Sequence, residues 1–438
     1  MKSYPSYTDI GIEWLGTIPS SWHKSKLKYV SILYTGNSLN DKQKNLYESY
    51  DHNHMPYISS KDIDADYHVV NYNNGIRIPP KENPLRVSPK GSLLLCVEGG
   101  SAGKKLVYLD RDVCFVNKLC CFNSRQNTKF QYYFIQSSHF QDKFKISLSG
   151  LIGGVSISTL RNFELPLPPL PEQKQIVTFL DYKTQKIDKL IKLTEQKNER
   201  LKEQRIALIN QCVTKGLNPN VEMKDSGVEW IGEIPTHWKE VKLKYFSSVT
   251  LGKMLTNADK GGFHYRRYLR SKNIQIEKVD VSDVKKMWFS DRELEKYRLK
   301  RGDLLFNEGG DVGRACIWNN ELDECYIQNS VNRVQFSGCN EQFVLYQSTV
   351  HHYVGFYDSR VDRVSIPHLT KEKLESIPFV LPTLNEQTEI VKHLDEKTQI
   401  IDSTIGKESQ RLELLKEYRQ ALISEVVTGK IDVRDCDG

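Results

Sequence analysis

The sequence lacks the features of a membrane or exported protein. No apolar run approaches the roughly 18 residues that a membrane-spanning helix needs. The N-terminus has no apolar stretch of the signal-peptide type. The nine cysteines include no C-x-x-C pair, and the adjacent Cys120 and Cys121 suit neither a disulfide framework nor a zinc site. We therefore expect free thiols, a cytoplasmic location and no association with membranes.

Motifs of enzyme chemistry are also missing. The sequence has no Asp/Asn-Pro-Pro-Tyr/Phe signature of amino-methyltransferases and no Gly-rich cofactor fingerprint. Gly103-Lys104 matches the end of a Walker A motif, but Glu98 stands where Gly is required and Lys105 where Ser or Thr is required. No histidine has partners at metal-ligand spacing. We predict no catalytic residue, no cofactor-binding residue and no metal ligand in this chain.

Overall charge gives weak guidance about partners. The 438 residues carry 62 Lys and Arg against 55 Asp and Glu, a net charge of +7. This balance permits an anionic partner but does not require one. The hydrophobic fraction of 39% and charged fraction of 27% are typical of a folded protein with two to four domains.

The strongest feature of the sequence is an internal repeat. Residues 9–29 match residues 225–245 at a constant offset of 216, with 12 of 21 positions identical. Residues 172–214 match residues 386–428 at an offset of 214, with 23 of 43 positions identical. Between these blocks only short fragments align. Matching frames around different inserts indicate that two domains of one geometry recognise two different things; duplication followed by drift is the alternative.

The second matching block predicts a long helix in each copy. Residues 172–214 contain no Gly or Pro, and their apolar residues recur at helical spacing, with Thr194 and Glu408 at the break in the two copies. Pro171 suits a first helical position and Asn385 an N-cap, while Gly216 and Gly429 suit helix ends. The predicted core of the helix pair comprises Leu180, Ile187, Ile191, Leu201, Leu208, Leu394, Ile401, Ile405, Leu415 and Leu422.

Charge favours pairing between the two helices. Residues 172–215 hold 10 Lys and Arg against 6 Asp and Glu, a net charge of +4, and residues 386–429 hold 6 against 9, a net charge of −3. Opposite charge favours pairing of the copies over self-pairing. An antiparallel pair is expected, with two independent solvated helices as the alternative. Glu172-Gln173-Lys174 mimics the end of a nuclease motif, but its place at a helix start favours a structural role.

The variable regions predict mixed α/β domains that carry basic and aromatic residues. Strands are expected in residues 92–97 and 303–306, and helices in residues 130–139 and 341–350. Arg and Lys interleaved with Tyr and His can contact phosphates and base edges. A solvated basic surface is the alternative for each residue. The candidate DNA-binding residues are Lys104, Lys105, Lys253, Arg266, Arg267, Arg270, Lys272, Arg314, Arg360 and Arg363.

The repeated frame resembles the domain opening of specificity subunits of type I restriction–modification systems. It reads D-x-G-x-E-W-x-G-x-I-P-x-x-W in both copies, and Pro169-Leu170-Pro171-Glu172-Gln173 leads into the first long helix as it does in that family. The second copy departs from this form with Thr383-Leu384-Asn385. Gly302-Asp303-Leu304-Leu305 also resembles those target domains, with Ser92 in place of the Asp in the first copy.

The resemblance implies an α+β fold with two target-recognition domains and two long helices in an antiparallel coiled coil. The expected bounds are 1–170 and 217–380 for the domains, and 171–216 and 381–438 for the helices with the C-terminal tail. Each domain would recognise one half of a split, asymmetric double-stranded DNA sequence, and the helices would set the gap. The frames bearing Trp14, Trp22, Trp230 and Trp238 would dock partners or form domain core.

The resemblance also implies partners that supply the chemistry. Two modification subunits would use S-adenosylmethionine to methylate adenine, and two restriction subunits would use ATP and Mg²⁺ to translocate and cleave DNA. This chain itself would bind no cofactor and catalyse nothing. Two alternatives stay open at this point: an interaction scaffold without DNA recognition, and a DNA-recognition protein fused to an unrecognised nuclease.

Overall fold

A computed structural model describes residues 2–9, 11, 16–80, 85–149, 153–228, 231–259, 261–360 and 368–435. The chain divides into two compact units. Met1–Glu195 and Gln410–Gly438 form the first unit, and Gln196–Ser409 forms the second. In the described part of the chain, no helix is both long and apolar enough to cross a membrane.

The first unit begins with a mixed α/β domain. Its two four-stranded sheets have the orders β6-β5-β10-β7 and β4-β11-β8-β9. The elements of the domain are β1 (Tyr7–Asp9), β2 (Thr17–Pro19), β3 (His23–Lys26), α1 (Leu27–Val30), β4 (Ser31–Thr35), α2 (Asp41–Leu46), β5 (Met55–Ile58), β6 (Arg77–Ile78), β7 (Val87–Ser88), β8 (Leu93–Cys96), β9 (Leu106–Tyr108), β10 (Val113–Phe115), β11 (Leu119–Ser124), α3 (Thr128–Gln136), α4 (Ser138–Ile146), α5 (Ile157–Arg161) and β12 (Glu164–Leu167).

Strand β8 lies at the centre of the first domain. Its residues are fully buried, which explains why the run is apolar without alternation. Leu93 and Leu95 enter a core shared with α3, α4 and the start of the long helix that follows, while Leu94 and Cys96 enter a core shared with β5 and β10. The strand therefore holds the two layers of the domain together.

The second unit repeats this plan with different details. Its sheets have the orders β16-β24-β21-β22 and β20-β17-β23. The elements of the domain are β13 (Met223–Asp225), β14 (Glu233–Pro235), β15 (Lys239–Lys242), β16 (Ser247–Leu251), β17 (His264–Leu269), β18 (Ile274–Gln275), β19 (Lys278–Val279), β20 (Lys285–Phe289), α7 (Asp291–Tyr297), β21 (Leu304–Asn307), β22 (Ala315–Ile317), β23 (Tyr326–Ile327), β24 (Val331–Phe336), α8 (Glu341–Tyr353), α9 (Lys371–Glu375) and β25 (Pro378–Leu381). Strand β21 matches β8, because Leu304 and Phe306 enter one core and Leu305 another.

Two long helices complete the units. The first is α6 (Leu170–Lys215, 46 residues), and its counterpart in the second copy of the repeat is α10 (Leu384–Val427, 44 residues). Gly216 and Gly429 follow the helix ends with φ of 73° each, a conformation that favours glycine. The prediction of Asn385 as N-cap is wrong, because α10 starts at Leu384 and the Thr383 hydroxyl accepts the hydrogen bond from the Glu386 amide at 3.4 Å.

Candidate nucleic-acid interface and helix pair

Within the second unit, the end of α6 runs antiparallel to the start of α10. Lys197 Nζ lies 2.5 Å from Glu408 Oε1, and Arg205 Nε lies 2.8 Å from Asp402 Oδ1. The partner's number falls as the α6 number rises, which fixes the antiparallel direction. The predicted fold class, α+β domains with two long helices in an antiparallel pair and an internal repeat, is confirmed.

Within the first unit, the same contact recurs between the start of α6 and the end of α10. Arg419 Nε lies 2.7 Å from Asp188 Oδ1. Both residues are 214 positions from their counterparts Arg205 and Asp402, so the repeat in the sequence is also a repeat of contacts. The two arginines differ in their additional acceptor. Arg419 also donates to Gln136 at 3.1 Å, whereas Arg205 also donates to Glu277.

The residues predicted for the core of the helix pair line these inner faces to different degrees. Leu180, Ile187, Ile191 and Leu422 are buried in the core of the first unit, with Leu415 at its edge. Leu394 is buried in the second unit, with Leu208 at the edge of that core. The half-buried members are Leu201, Ile401 and Ile405.

The predicted break in the apolar pattern is a polar segment in the structure. Thr194 is buried and donates from its hydroxyl to the Leu190 carbonyl at 2.8 Å, so it satisfies its polar group within α6. In the second unit, the Asn198 amide lies 3.4 Å from the Ser409 hydroxyl, beside the pair formed by Lys197 and Glu408. Asn198 is buried, and a buried polar residue between paired helices favours one register.

The repeated tryptophans tie each domain to the start of its own helix. Trp22 Nε1 donates to Glu172 Oε1 at 2.9 Å, and Trp238 Nε1 donates to Glu386 Oε1 at 3.1 Å. Both indoles are buried, as expected for domain core, and Glu172 has the structural role that its position suggested. Trp14 and Trp230 lie outside the described residues.

A tyrosine in each domain makes a second repeated contact with the helices. Tyr133 donates to Asp181 at 2.7 Å, and Tyr346 donates to Asp395 at 2.6 Å. Burial is the main cause that raises the pKa of both tyrosines well above the ordinary value, so both stay protonated donors. The two tyrosines are 213 positions apart and the two aspartates 214, and each pair joins a domain to the long helix that follows it.

In the first domain, the two candidate lysines differ in their environment. Lys104 is exposed in the Gly-rich turn after β8. Lys105 is half-buried, and its ammonium donates to the Ser60 carbonyl at 2.7 Å. Lys104 is therefore the one with its charge directed to solvent.

In the second domain, several candidate cations are bound by carboxylates. Lys253 is buried and lies 2.6 Å from Glu293. Arg266 lies 3.2 Å from Glu324. The remaining pairs join Arg270 and Lys272 to Asp283 at 2.5 and 3.1 Å, and Arg314 to Asp311 at 3.5 Å.

Arg267 is the exposed member of the candidates on β17. Its neighbour Arg266 points to the opposite face, because side chains alternate along a strand. The side chain of Arg360 and all of Arg363 lie outside the described residues. Arg267 is therefore more exposed than Arg266, its neighbour on the strand.

Two residues next to Arg267 were not predicted from the sequence. Strand β20 pairs antiparallel with β17 and places Lys286 opposite Arg267 and Trp288 opposite Tyr265. The apolar and aromatic run Met287-Trp288-Phe289 was the available signal for this strand. The pairing of this strand with β17 could not be predicted from the sequence, because a long connection separates the two strands.

The cysteines of the described segments are free, and most are buried. Burial raises the pKa of the Cys114 and Cys212 thiols to about 11 each, so these thiols stay protonated near neutral pH. Among the residues that the structure describes, no group of His, Cys, Asp and Glu is arranged to hold a metal ion.

Comparison with known proteins adds a family match. The model described as the type I restriction modification DNA specificity domain matches twice, over residues 19–203 and 235–414. Each match holds one variable domain and most of the long helix that follows it. The two matches together cover well over half of the chain.

The similar proteins include specificity subunits of Methanocaldococcus jannaschii and Escherichia coli. The MjaVIII specificity subunit of Methanocaldococcus jannaschii is 24% identical over 365 residues, which cover 79% of this chain and 80% of that protein. The MjaIX specificity subunit of the same organism is 22% identical over 443 residues, with 96% of each chain covered. The EcoKI specificity subunit of Escherichia coli is 23% identical over 329 residues, with coverage of 69% and 65%.

One solved structure shares the fold over nearly the whole length. It comes from work on complex assembly and conformational transition of the type I R-M system. The TM-score is 0.71 at 15% sequence identity, and the alignment covers 94% of this chain and 99% of that chain. At this level of sequence identity, the similarity shows a shared fold alone.

Proposed function

The chain belongs to the family of type I restriction–modification DNA specificity domains and carries two of them, and we propose that each recognises one half of a split DNA target. The chain is the DNA sequence-specificity subunit of such a system. The two halves of the target would differ in sequence, so that the whole site is asymmetric.

One observation carries this proposal: the contacts of the frame repeat while the surfaces between them differ. Trp22 with Glu172 and Arg419 with Asp188 have exact counterparts in the second unit. The aromatic and basic strand pair of β17 and β20 has no counterpart in β5 and β6, where Arg77 is buried and donates to the His54 carbonyl. A shared frame with different exposed residues suits two half-sites of different sequence.

The helix pair would set the distance between the half-sites and bind the modification subunits. Continuous helices of 46 and 44 residues have a fixed rise per residue, so they can hold two domains at a fixed distance. Two modification subunits with S-adenosylmethionine and two restriction subunits with ATP and Mg²⁺ would supply the chemistry. This chain would contribute recognition and no catalysis of its own.

Mapping of methylated adenines tests the proposal. The full chain is produced together with the modification subunits encoded with it, and genomic DNA from those cells is sequenced for methylation. We expect one split, asymmetric motif with a fixed gap, and no methylation from the chain without its partners. A single continuous motif would overturn the two-domain proposal, and methylation by the chain alone would overturn its non-catalytic role.

A further inference from the structure

One face of the β17–β20 strand pair combines exposed aromatic and basic side chains. The register places Tyr265 opposite Trp288 and Arg267 opposite Lys286. Side chains alternate along both strands, so these four residues share one face. Tyr265 is 49% exposed, and Arg267 and Lys286 are exposed. We call these four residues the ribbon face.

The rings of the ribbon face support each other. The Tyr265 and Trp288 rings have centroids 5.0 Å apart at 40°, and Lys286 Nζ lies 6.0 Å from the Tyr265 ring centroid. The Trp288 amide donates to the Thr256 carbonyl at 3.2 Å, which fixes the strand edge against the preceding loop. The Tyr265 ring therefore packs against a tryptophan whose backbone is hydrogen-bonded to the neighbouring loop.

The charges of the ribbon face are directed to solvent. In the described part of the chain, no carboxylate forms a salt bridge with Arg267 or Lys286. On the opposite face, Arg266 is paired with Glu324, and further along the chain Arg270 is paired with Asp283. Arg266 and Arg270 are therefore neutralised by carboxylates, whereas Arg267 and Lys286 are exposed.

The shape of the ribbon also suits duplex DNA. Strand β23 pairs with β17 at Tyr268 and Leu269. Residues 264–267 and 286–289 consequently form a two-stranded antiparallel ribbon. The major groove of B-form DNA accepts a ribbon of this kind. Exposed cations beside it suit the phosphates on the groove walls.

We propose that the ribbon face binds double-stranded DNA and recognises one half-site. Arg267 and Lys286 contact phosphates, and the Tyr265 hydroxyl contacts a base edge with Trp288 as its support. This inference rests on the proposed function and adds the surface that performs it. Because the first domain has no such ribbon at β5 and β6, the effect is confined to a single half-site.

Charge removal in the full complex tests the two cations. The test variant carries both Arg267→Gln and Lys286→Gln. The control variant carries Lys278→Gln and Arg301→Gln, which remove two exposed cations elsewhere in the same unit. We expect the ribbon-face variant to bind the mapped target about tenfold more weakly, with a salt slope smaller by about two. The control pair should keep wild-type binding and salt slope.

The tyrosine gives a separate test of sequence recognition. Tyr265→Phe keeps the ring and removes the hydroxyl. We expect a loss of about tenfold in discrimination at one base pair of one half-site, and unchanged discrimination at the other half-site. Single-base substitutions across the mapped target measure both.

The outcomes separate this proposal from the proposed function. If the wild-type complex binds a split target and the ribbon-face variants behave as the control pair does, the ribbon face is not the DNA surface. If the variants lose the modification subunits on gel filtration while the remaining complex binds DNA normally, the face belongs to a protein partner. If the wild-type complex binds no split target, the proposed function itself fails.

Discussion

Arg205 on α6 forms an ion pair with Glu277 in the turn between β18 and β19, with Nη2 to Oε2 at 2.5 Å. The side chains are 14% and 20% exposed, so water screens the pair only partly. Glu277 has a φ of 58°, which is unusual for a residue with a side chain. The half-buried Arg205 therefore ties this turn of the second domain to α6.

Replacement of Arg205 by Ala should lower the free energy of unfolding by about 2 kcal/mol, because Glu277 and Asp402 then lose their shared cation in a half-buried site. Urea denaturation measures the change, and hydrogen exchange should increase in the β18–β19 turn. Arg200→Ala removes an exposed arginine from the same helix and serves as the control. Equal stability of the two variants would contradict a role for the ion pair.

Replacement of Arg419 by Ala should cost about half as much. Its partners are Asp188 and the neutral Gln136, so a single carboxylate loses its cation instead of two. The same denaturation experiment compares the two arginine variants. A larger cost for Arg419→Ala than for Arg205→Ala would show that packing of the arginine stem, rather than the number of carboxylates, decides the energy.

The internal repeat made the two long helices and the conserved domain openings predictable from the sequence. It did not make the exposed residues of the two variable domains predictable. Leu180 and Leu394 are fully buried, and the apolar spacing along a helix is a local pattern from which its buried face can be predicted. The partners of Lys253 and Arg270 depended on which distant carboxylates the fold brings near, and no local pattern contains that information. The same holds for Trp288, whose half-buried position beside Tyr265 follows from the pairing of β20 with β17.

His351 should make the stability of the second unit sensitive to acid. It is fully buried among the rings of Phe356 and Phe379, and burial lowers its pKa to about 3. The folded chain therefore keeps this histidine neutral, while the unfolded chain takes up a proton below pH of about 6.5. Stability is fully present above that pH and falls by about 1.4 kcal/mol per unit below it.

Urea denaturation at pH 7, 6 and 5 measures the effect of His351. His351→Gln should give a flatter dependence on pH than the wild type, whatever its stability at pH 7. His52→Gln changes an exposed histidine and should keep the wild-type slope. An unchanged slope in His351→Gln would mean that other groups cause the loss of stability in acid.

The length of the helices should set the gap in the DNA target. Insertion of one heptad after Glu195 in α6, together with one after Ser409 in α10, keeps the apolar spacing and the paired repeat. Seven helical residues add about 10 Å, which corresponds to roughly three base pairs of duplex. Methylation mapping should return both half-sites unchanged, with a gap about three base pairs longer. Insertion in α6 alone shifts the residues after Glu195 against α10, so the Arg205–Asp402 and Arg419–Asp188 pairs cannot both form, and methylation of split sites should be abolished. An unchanged gap in the double-insertion variant would show that helix length does not set the distance between the half-sites.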